Sequence, residues 1–425
     1  MEGGKRILLM DSGSYNTFGG SAKALRLLYD YLNGLGAYHV ELLGDFSRSG
    51  VSGSITADEV FKGGRHSSAD YYRMISRRFF FKGRAIDVYD KRFFEREYDL
   101  VVLNSRMDVP IMDEYRTKHP GVKTMYIDRA GIITNNAYAL GDSLLAGFLR
   151  VLARRAAAPF SRRAMVKSTS FLGSLGTVYI IHLLRRWLDA YVGISPEQVR
   201  LASKFFTKST DIAYITIGVG AEYRKLPGFK RSYIGGLYVG RLDERQKHVS
   251  SLLHGVRRVI DLHPELAGIE LLRIVGDGPD REEYERLSGR LGLGKNVTFL
   301  GTRLDEELVK EYNDCGFYVS ASEWEGLGRA FVEAMSCGRP LLLNNMNNVI
   351  ISEDWKTRMI EDGVDGMVYA YGDTEDFARK FFLMYSDTSA LDRMGERAME
   401  IAQKGFSLER QNERYAREIR KLVGE

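Results

Sequence analysis

The chain is poor in the residues that cross-link or metallate a fold. Only two cysteines, Cys315 and Cys337, occur among 425 residues, and they have no partner spacing for zinc. A disulfide framework and a thiolate metal site are therefore excluded as organising features, and a reducing cytosolic setting is expected. The seven histidines lack metal-ligand spacing as well, and His248, beside Lys247, is expected at the surface. No Asp-x-Asp triplet is present. That triplet commonly presents Mg²⁺ or Mn²⁺ to a diphosphate, so metal-independent chemistry without a cofactor is expected. No apolar stretch reaches the roughly 18 residues of a membrane-spanning helix, and the start, MEGGKRILLMDSGS, lacks the longer apolar segment and cleavage site of a signal peptide. Repeats, low-complexity segments and nucleic-acid-binding motifs are missing too, which argues against nucleic acid as a partner.

What remains is 44% apolar, enough for two cores at a length where one core usually stops growing. Apolar runs at 6–10, 40–43, 100–103, 124–127, 190–193 and 212–217 are separated by helical or irregular segments. Runs apolar throughout, without alternation, suit parallel strands covered on both faces. A first doubly wound domain over residues 1–222 is expected, followed by the turn-forming, cationic YRKLPGFKRS as a linker. A second domain over 230–405 repeats the pattern, with runs near YIGGLYVG and at 271–275, 297–300, 317–320, 340–343 and 367–369. In the last segment, 406–425, Ser407 can cap a helix whose Leu408, Tyr415, Ile419 and Leu422 share one face.

The stretch with most chemical content runs from Val319 to Leu343 and reads as strand, glycine turn, helix and strand. Gly326, Leu327 and Gly328 let the backbone approach a ligand, and a helix begins directly after them. Free amides and the dipole at that terminus favour a phosphate or pyrophosphate. Glu325 precedes the turn and Glu333 lies about one helical turn in, placed to accept hydrogen bonds from hydroxyls. Pyrophosphate plus hydroxyls suggests a nucleotide sugar.

The string EGLGRAFVEAMSCGRPLL resembles the Glu-x7-Glu signature of the retaining GT-B glycosyltransferases of family 4. The resemblance implies two Rossmann-like α/β domains facing a cleft, with the final helix crossing back to the first. It implies that Glu325 contacts the transferred sugar, that the amides of Gly326, Leu327 and Gly328 hold the diphosphate, and that Glu333 binds the ribose.

Further motifs extend it. Arg241 and Lys247 in GRLDERQK offer a planar fork and a point charge, which suits a departing pyrophosphate. They look like the family's two leaving-group cations. Gly276 and Gly278 in IVGDGP resemble its GxGP loop, and TFLGT, ending at Thr302, resembles the strand end whose backbone recognises the base. Gly19 and Gly20 match the Gly-Gly loop over the donor phosphates. One departure stands out: TMYIDRAG puts Asp128 where the family carries a histidine beside the sugar. Asp128 can accept from a sugar hydroxyl or orient the acceptor; equally, it can cap a helix or pair with Arg129.

The implied activity is that of a retaining hexosyltransferase moving a sugar from a UDP-sugar, or second GDP-mannose, to an acceptor hydroxyl. A GT-B-like epimerase, a phosphorylase and a non-catalytic nucleotide-sugar-binding protein remain alternatives. The acceptor expectation comes from charge. Between Ser143 and Leu188 there is no Asp or Glu, while Arg150, Arg154, Arg155, Arg162 and Arg163 are present among apolar residues. YYRMISRRFFFKGR from Tyr71 again mixes cations with aromatics. Such segments lie in anionic membrane interfaces, so a lipid or lipid-linked glycan acceptor is expected, at the inner face of the cell membrane. The competing readings are a solvated cationic face and a soluble acceptor.

Overall fold

A computed structural model describes residues 4–11, 20–43, 54–55, 91–129, 178–352 and 356–425. The chain divides into two compact units, Met1–Ile215 with Asn412–Glu425, and Thr216–Gln411.

The first unit is built on seven strands: β1 (Lys5–Met10), β2 (Tyr38–Leu43), β3 (Ser54–Ile55), β4 (Leu100–Leu103), β5 (Lys123–Asp128), β6 (Ala190–Gly193) and β7 (Asp211–Tyr214). They form one parallel sheet in the order β3-β2-β1-β4-β5-β6-β7. Consecutive residues of β1 alternate between two separate cores. Ile7 and Leu9 pack with Leu100, Val102, Met125 and Ile127 on one face, while Leu8 and Met10 pack with Val101, Leu103 and Tyr126 on the other. Both faces are covered, and this is why the strands read as unbroken apolar runs. The helix Gly20–Gly34 contributes Leu25, Leu28 and Leu32 to the first of these cores, at helical spacing.

The last helix, Leu408–Val423, closes that same face with Tyr415, Ala416 and Ile419. Ser407 caps it, its hydroxyl accepting from the Arg410 amide at 3.4 Å.

The second unit carries β8 (Gly236–Val239), β9 (Leu272–Val275), β10 (Val297–Gly301), β11 (Phe317–Ser320), β12 (Leu341–Asn344) and β13 (Gly366–Tyr369), all parallel, in the order β10-β9-β8-β11-β12-β13. The helix Val249–Leu262 buries Val249, Leu252, Leu253, Val256, Val259 and Ile260 against it. Residues 223–232, expected as a linker, are instead strapped to this unit. Tyr223 and Tyr233 are buried, Leu226 N donates to Asn313 Oδ1 at 2.8 Å, and Ser232 N donates to Asp314 Oδ1 at 2.7 Å. The turn-forming residues describe only the middle of the strap; the aromatic rings at its ends anchor it. Contacts accordingly divide the units at Ile215 and Thr216, before the strap and before residue 222.

Candidate active site

In the second sheet the chain runs from β8 outward to β10, then returns to the other side of β8 as β11. Ligands of open parallel sheets bind where the order reverses, beyond the carboxyl ends of the strands. The segment after β8 holds Arg241 and Lys247, and the segment after β11 holds Glu325 to Gly328. Topology alone therefore brings the two motifs together.

The segment after β8 is fixed by Asp243. It caps the short helix Glu244–Lys247 by accepting from Arg245 N at 3.1 Å, and its carboxylate also takes Arg245 Nη2 at 2.8 Å and Arg241 Nη2 at 3.3 Å. The Arg245 hydrogen bonds hold the Asp243 carboxyl below its ordinary range, against the opposing effect of burial. Arg245 thus has a partner and a position of its own. The helix then docks on the segment after β11: Glu323 N donates to Gln246 O at 2.8 Å, and Gln246 Nε2 donates to Trp324 O at 3.2 Å. Lys247 and Glu325 form an ion pair whose side chains are 18% and 13% exposed. At this exposure water still reaches the pair but screens it less than it would on the open surface. From below, Ser322 O accepts from Asn344 Nδ2 at 2.8 Å and from Asn347 Nδ2, while Tyr369 OH donates to Ser320 O at 2.9 Å. His248, expected as a plain surface residue, is a partly buried joint. Its φ is +46°, and its ring nitrogens stand 3.6 Å from Glu244 and 3.4 Å from Glu323.

Gly326 and Leu327 lead into the helix Arg329–Ser336, which Gly328 precedes as N-cap with no capping side chain. A Cβ at Gly328 would lie 2.6 Å from the Phe331 ring, so this turn admits only glycine without a shift. No side chain competes for the first amides of the helix, an arrangement suited to an anion. Glu333 has partners within its own unit. Its carboxylate is buried, and its oxygens accept from Tyr312 OH at 3.0 Å and Arg329 Nε at 3.1 Å. Arg329 in turn donates to Gly218 O at 3.2 Å. A carboxylate has further lone pairs, but here it already organises an internal network.

Gly276 and Gly278 are explained by chain meeting chain. A Cβ on Gly276, whose φ is +135°, would lie 1.9 Å from Gly240 O, and one on Gly278 would lie 2.3 Å from Leu242 O. Gly276 N donates to Gly301 O at 2.9 Å, and Leu242 N donates to Asp277 O at 2.9 Å. Their smallness lets three strand ends knit together, which fixes Arg241 between them and sets Thr302 directly after Gly301.

Among the residues expected in the first unit, Gly20 begins a helix. Gly19, the segment from Tyr71, and Arg150, Arg154, Arg155, Arg162 and Arg163 lie outside the described residues. Asp128 ends β5, fully buried, and accepts from Tyr191 OH at 2.8 Å. Burial, with the Asp128 charge second, pushes the Tyr191 hydroxyl well above its ordinary range. Arg129, weighed as its ion-pair partner, donates Nε to Asn104 Oδ1 at 2.9 Å instead. Among the described residues no cluster of His, Cys, Asp or Glu could hold a metal ion, and no helix is long and apolar enough to cross a membrane. Sequence reasoning missed Gln246, Tyr312 and Arg329. Of these only Arg329 carries a signal, four residues before Glu333 on the same helix.

Residues 222–401 match the family model of glycosyl transferases group 1. A sulfoquinovosyl transferase of Arabidopsis thaliana is 30% identical over 170 residues, covering 40% of this chain and 30% of the relative. An alpha-D-kanosaminyltransferase of Streptomyces kanamyceticus is 30% identical over 175 residues, covering 40% of this chain and 42% of its own. The matched part therefore spans less than half of either relative. Similarity of fold extends further. A sucrose-phosphate synthase from Thermosynechococcus elongatus superposes with a TM-score of 0.69 at 17% identity over 99% of both chains. Anabaena HepE, in complex with UDP and glucose, gives 0.66 at 15% identity over 98% of this chain and all of its own. The chain thus has the GT-B fold of two parallel-sheet α/β units, and residues 222–401 match the glycosyl transferases group 1 family.

Proposed function

We propose that the chain is a retaining glycosyltransferase that moves a sugar from a nucleoside diphosphate donor to an acceptor hydroxyl. The observation that carries this reading is the Lys247–Glu325 ion pair, seated at the reversal point of the second sheet directly before a glycine turn and an uncapped helix. A cation set against a carboxylate, with a row of amides directly after that carboxylate, suits a diphosphate joined to a sugar. When a diphosphate binds, Lys247 can exchange part of its interaction with Glu325 for the phosphate, which leaves Glu325 to accept from a sugar hydroxyl. Arg241, half-exposed beside Asp243, adds the second cation.

In this mechanism the bond between the anomeric carbon and the diphosphate oxygen breaks, and a bond to the acceptor oxygen forms on the same face. The acceptor's proton passes to the departing phosphate oxygen. No enzyme nucleophile is required, and stabilising the charge on the leaving group is the main catalytic contribution. The cations are side chains, so transfer is proposed to be independent of metal. A UDP-sugar is the favoured donor, in keeping with the UDP in the Anabaena structure, and GDP-mannose is second. The acceptor is proposed to be a lipid or lipid-linked glycan at the inner membrane face, reached by peripheral association.

The test is release of nucleoside diphosphate from a panel of nucleotide sugars, with and without acceptors, in chelator. Acceptor-dependent release that survives chelation, with the anomeric configuration retained, supports the proposal. Interconversion of donors without an acceptor would identify an epimerase, and a donor-induced rise in melting temperature without turnover would identify a binding protein. Release lost in chelator and restored by Mn²⁺ would overturn the leaving-group assignment.

A further inference from the structure

The first sheet also reverses its order, between β1 and β4. Three polar residues leave the carboxyl ends of adjacent strands there: Asp11 after β1, Asn104 after β4 and Arg129 after β5. Their backbones continue the sheet's ladder, with Asp11 N donating to Leu43 O and Asn104 N to Met10 O, both at 2.9 Å. Their side chains form a directed chain. Asn104 Nδ2 donates to Asp11 Oδ2 at 2.8 Å, and Asn104 Oδ1 accepts from Arg129 Nε at 2.9 Å. The Arg129 guanidinium carbon lies 5.7 Å from the centre of the Tyr415 ring, which supports it from the last helix.

This arrangement uses one of the five N–H donors of the guanidinium. Nη1 and Nη2 are enclosed, and among the described residues they have no hydrogen-bond partner and no carboxylate forms an ion pair with Arg129. An enclosed cation without a counter-ion is strongly unfavourable, whereas four N–H groups in a fixed fork match the oxygens of a phosphate. Orientation by Asn104 and Tyr415 leaves the fork's remaining edge to a ligand.

We propose that Arg129 is the principal donor of a phosphate-binding site at the reversal point of the first sheet, and that the phosphate is a group carried by the acceptor. The second clause rests on the transfer reading above; the site itself does not. A soluble phosphate ester and a phospholipid headgroup offer the same chemistry.

The experiment measures melting temperature and calorimetric binding on the full chain with inorganic phosphate, glycerol 3-phosphate and, as a neutral control, glycerol. The variants are Arg129→Met, Arg129→Lys and the double variant Arg241→Ala/Lys247→Ala. Phosphate is expected to raise the melting temperature of the wild type and of the double variant by about 2 °C or more, and adding Arg129→Met to the double variant should abolish the rise. Lysine retains the charge without the fork, so Arg129→Lys should bind at least about tenfold more weakly. Without ligand, Arg129→Met should melt no lower than the wild type, because an uncompensated charge has been removed; a structural arginine would give the opposite. Equal phosphate responses in wild type and Arg129→Lys, loss of the response only in the double variant, or no wild-type response at all would overturn the site. Binding to phosphatidic acid vesicles but not to glycerol 3-phosphate identifies the headgroup source; the reverse identifies a soluble ester. Arg129-dependent binding in a protein that releases no nucleoside diphosphate keeps the site and sinks the transfer reading. Transfer without such binding sinks the site alone.

Discussion

Glu325 and Glu333 look equivalent in the signature string, but their surroundings predict different outcomes for the same substitution. Glu325→Ala removes the partner of Lys247 in a setting that water still reaches, so the fold should survive. Turnover should fall by about 10²-fold, with little change in melting temperature or in the donor's KM. Glu333→Ala leaves Arg329 and Tyr312 buried without their acceptor, a loss of about 3 kcal/mol or more. It should lower the melting temperature clearly and raise the donor's KM in whatever protein remains folded. Matching thermal and kinetic effects in the two variants would sink these separate roles. The string shows which residue types recur, and it is silent on their burial, which is what separates Glu333 from Glu325 here. Asp365 supplies a residue-scale test of pH. Burial raises its carboxyl from 3.8 to about 6, while the Glu361 amide, donating to Oδ1 at 2.8 Å, opposes the rise. The folded state therefore holds a proton that the unfolded state has lost between pH 3.8 and about 6, so this residue's contribution to stability falls as pH rises through that window. Asp365→Asn keeps an acceptor for the amide and is expected to melt about 2 °C higher than wild type at pH 7.5. The difference should vanish near pH 4 in a scanning calorimeter.

At the scale of elements, the sequence was most legible where the chain is most constrained. The runs at 100–103, 190–193 and 317–320 coincide with β4, β6 and β11 residue for residue, because a strand buried on both faces has no polar positions to blur its ends. β3, only Ser54–Ile55, has no such pattern and could not be read. Loops were legible in composition but not in purpose. The glycines of IVGDGP resembled the family's GxGP loop, and the room at each of them is set by Gly240 and Leu242 on the neighbouring segment. Gly276→Ala should therefore destabilise the second unit itself, by about 2 kcal/mol or more, since the new methyl meets a backbone oxygen that cannot swing away. A urea midpoint unchanged by this substitution, with only nucleotide affinity affected, would return the loop to the ligand. The contacts of Gln246, Tyr312 and Asn344 were invisible for another reason: the three residues come from three different elements, and no local spacing joins them to their partners.

For the whole molecule, the two parallel sheets could be anticipated because they rest on apolar runs repeated many times over, whereas the return of the last helix was implied by the family resemblance, its own pattern showing only one buried face. The acceptor rests on a single regional bias, the acid-free stretch from Ser143 to Leu188. Its test is flotation with anionic vesicles at low salt. The wild type should float, added salt should weaken the association within the range where the Debye length shrinks below about 10 Å, and replacing Arg154, Arg155, Arg162 and Arg163 with Ser should abolish it. A protein that stays at the bottom of the gradient at low salt has a soluble acceptor. The last helix carries a consequence of a different kind. Tyr415, Ala416 and Ile419 complete a core whose other members are β1, β2, β4 and the helix Gly20–Gly34, while all of residues 216–411 are made in between. Domains ordinarily fold in the order in which they leave the ribosome. Here the order is inverted: the second unit can be finished while the first, begun earlier, still exposes one apolar face. That face stays open until Tyr415, Ala416 and Ile419 have been made, so chains truncated before them should be captured by chaperones through their amino-terminal half.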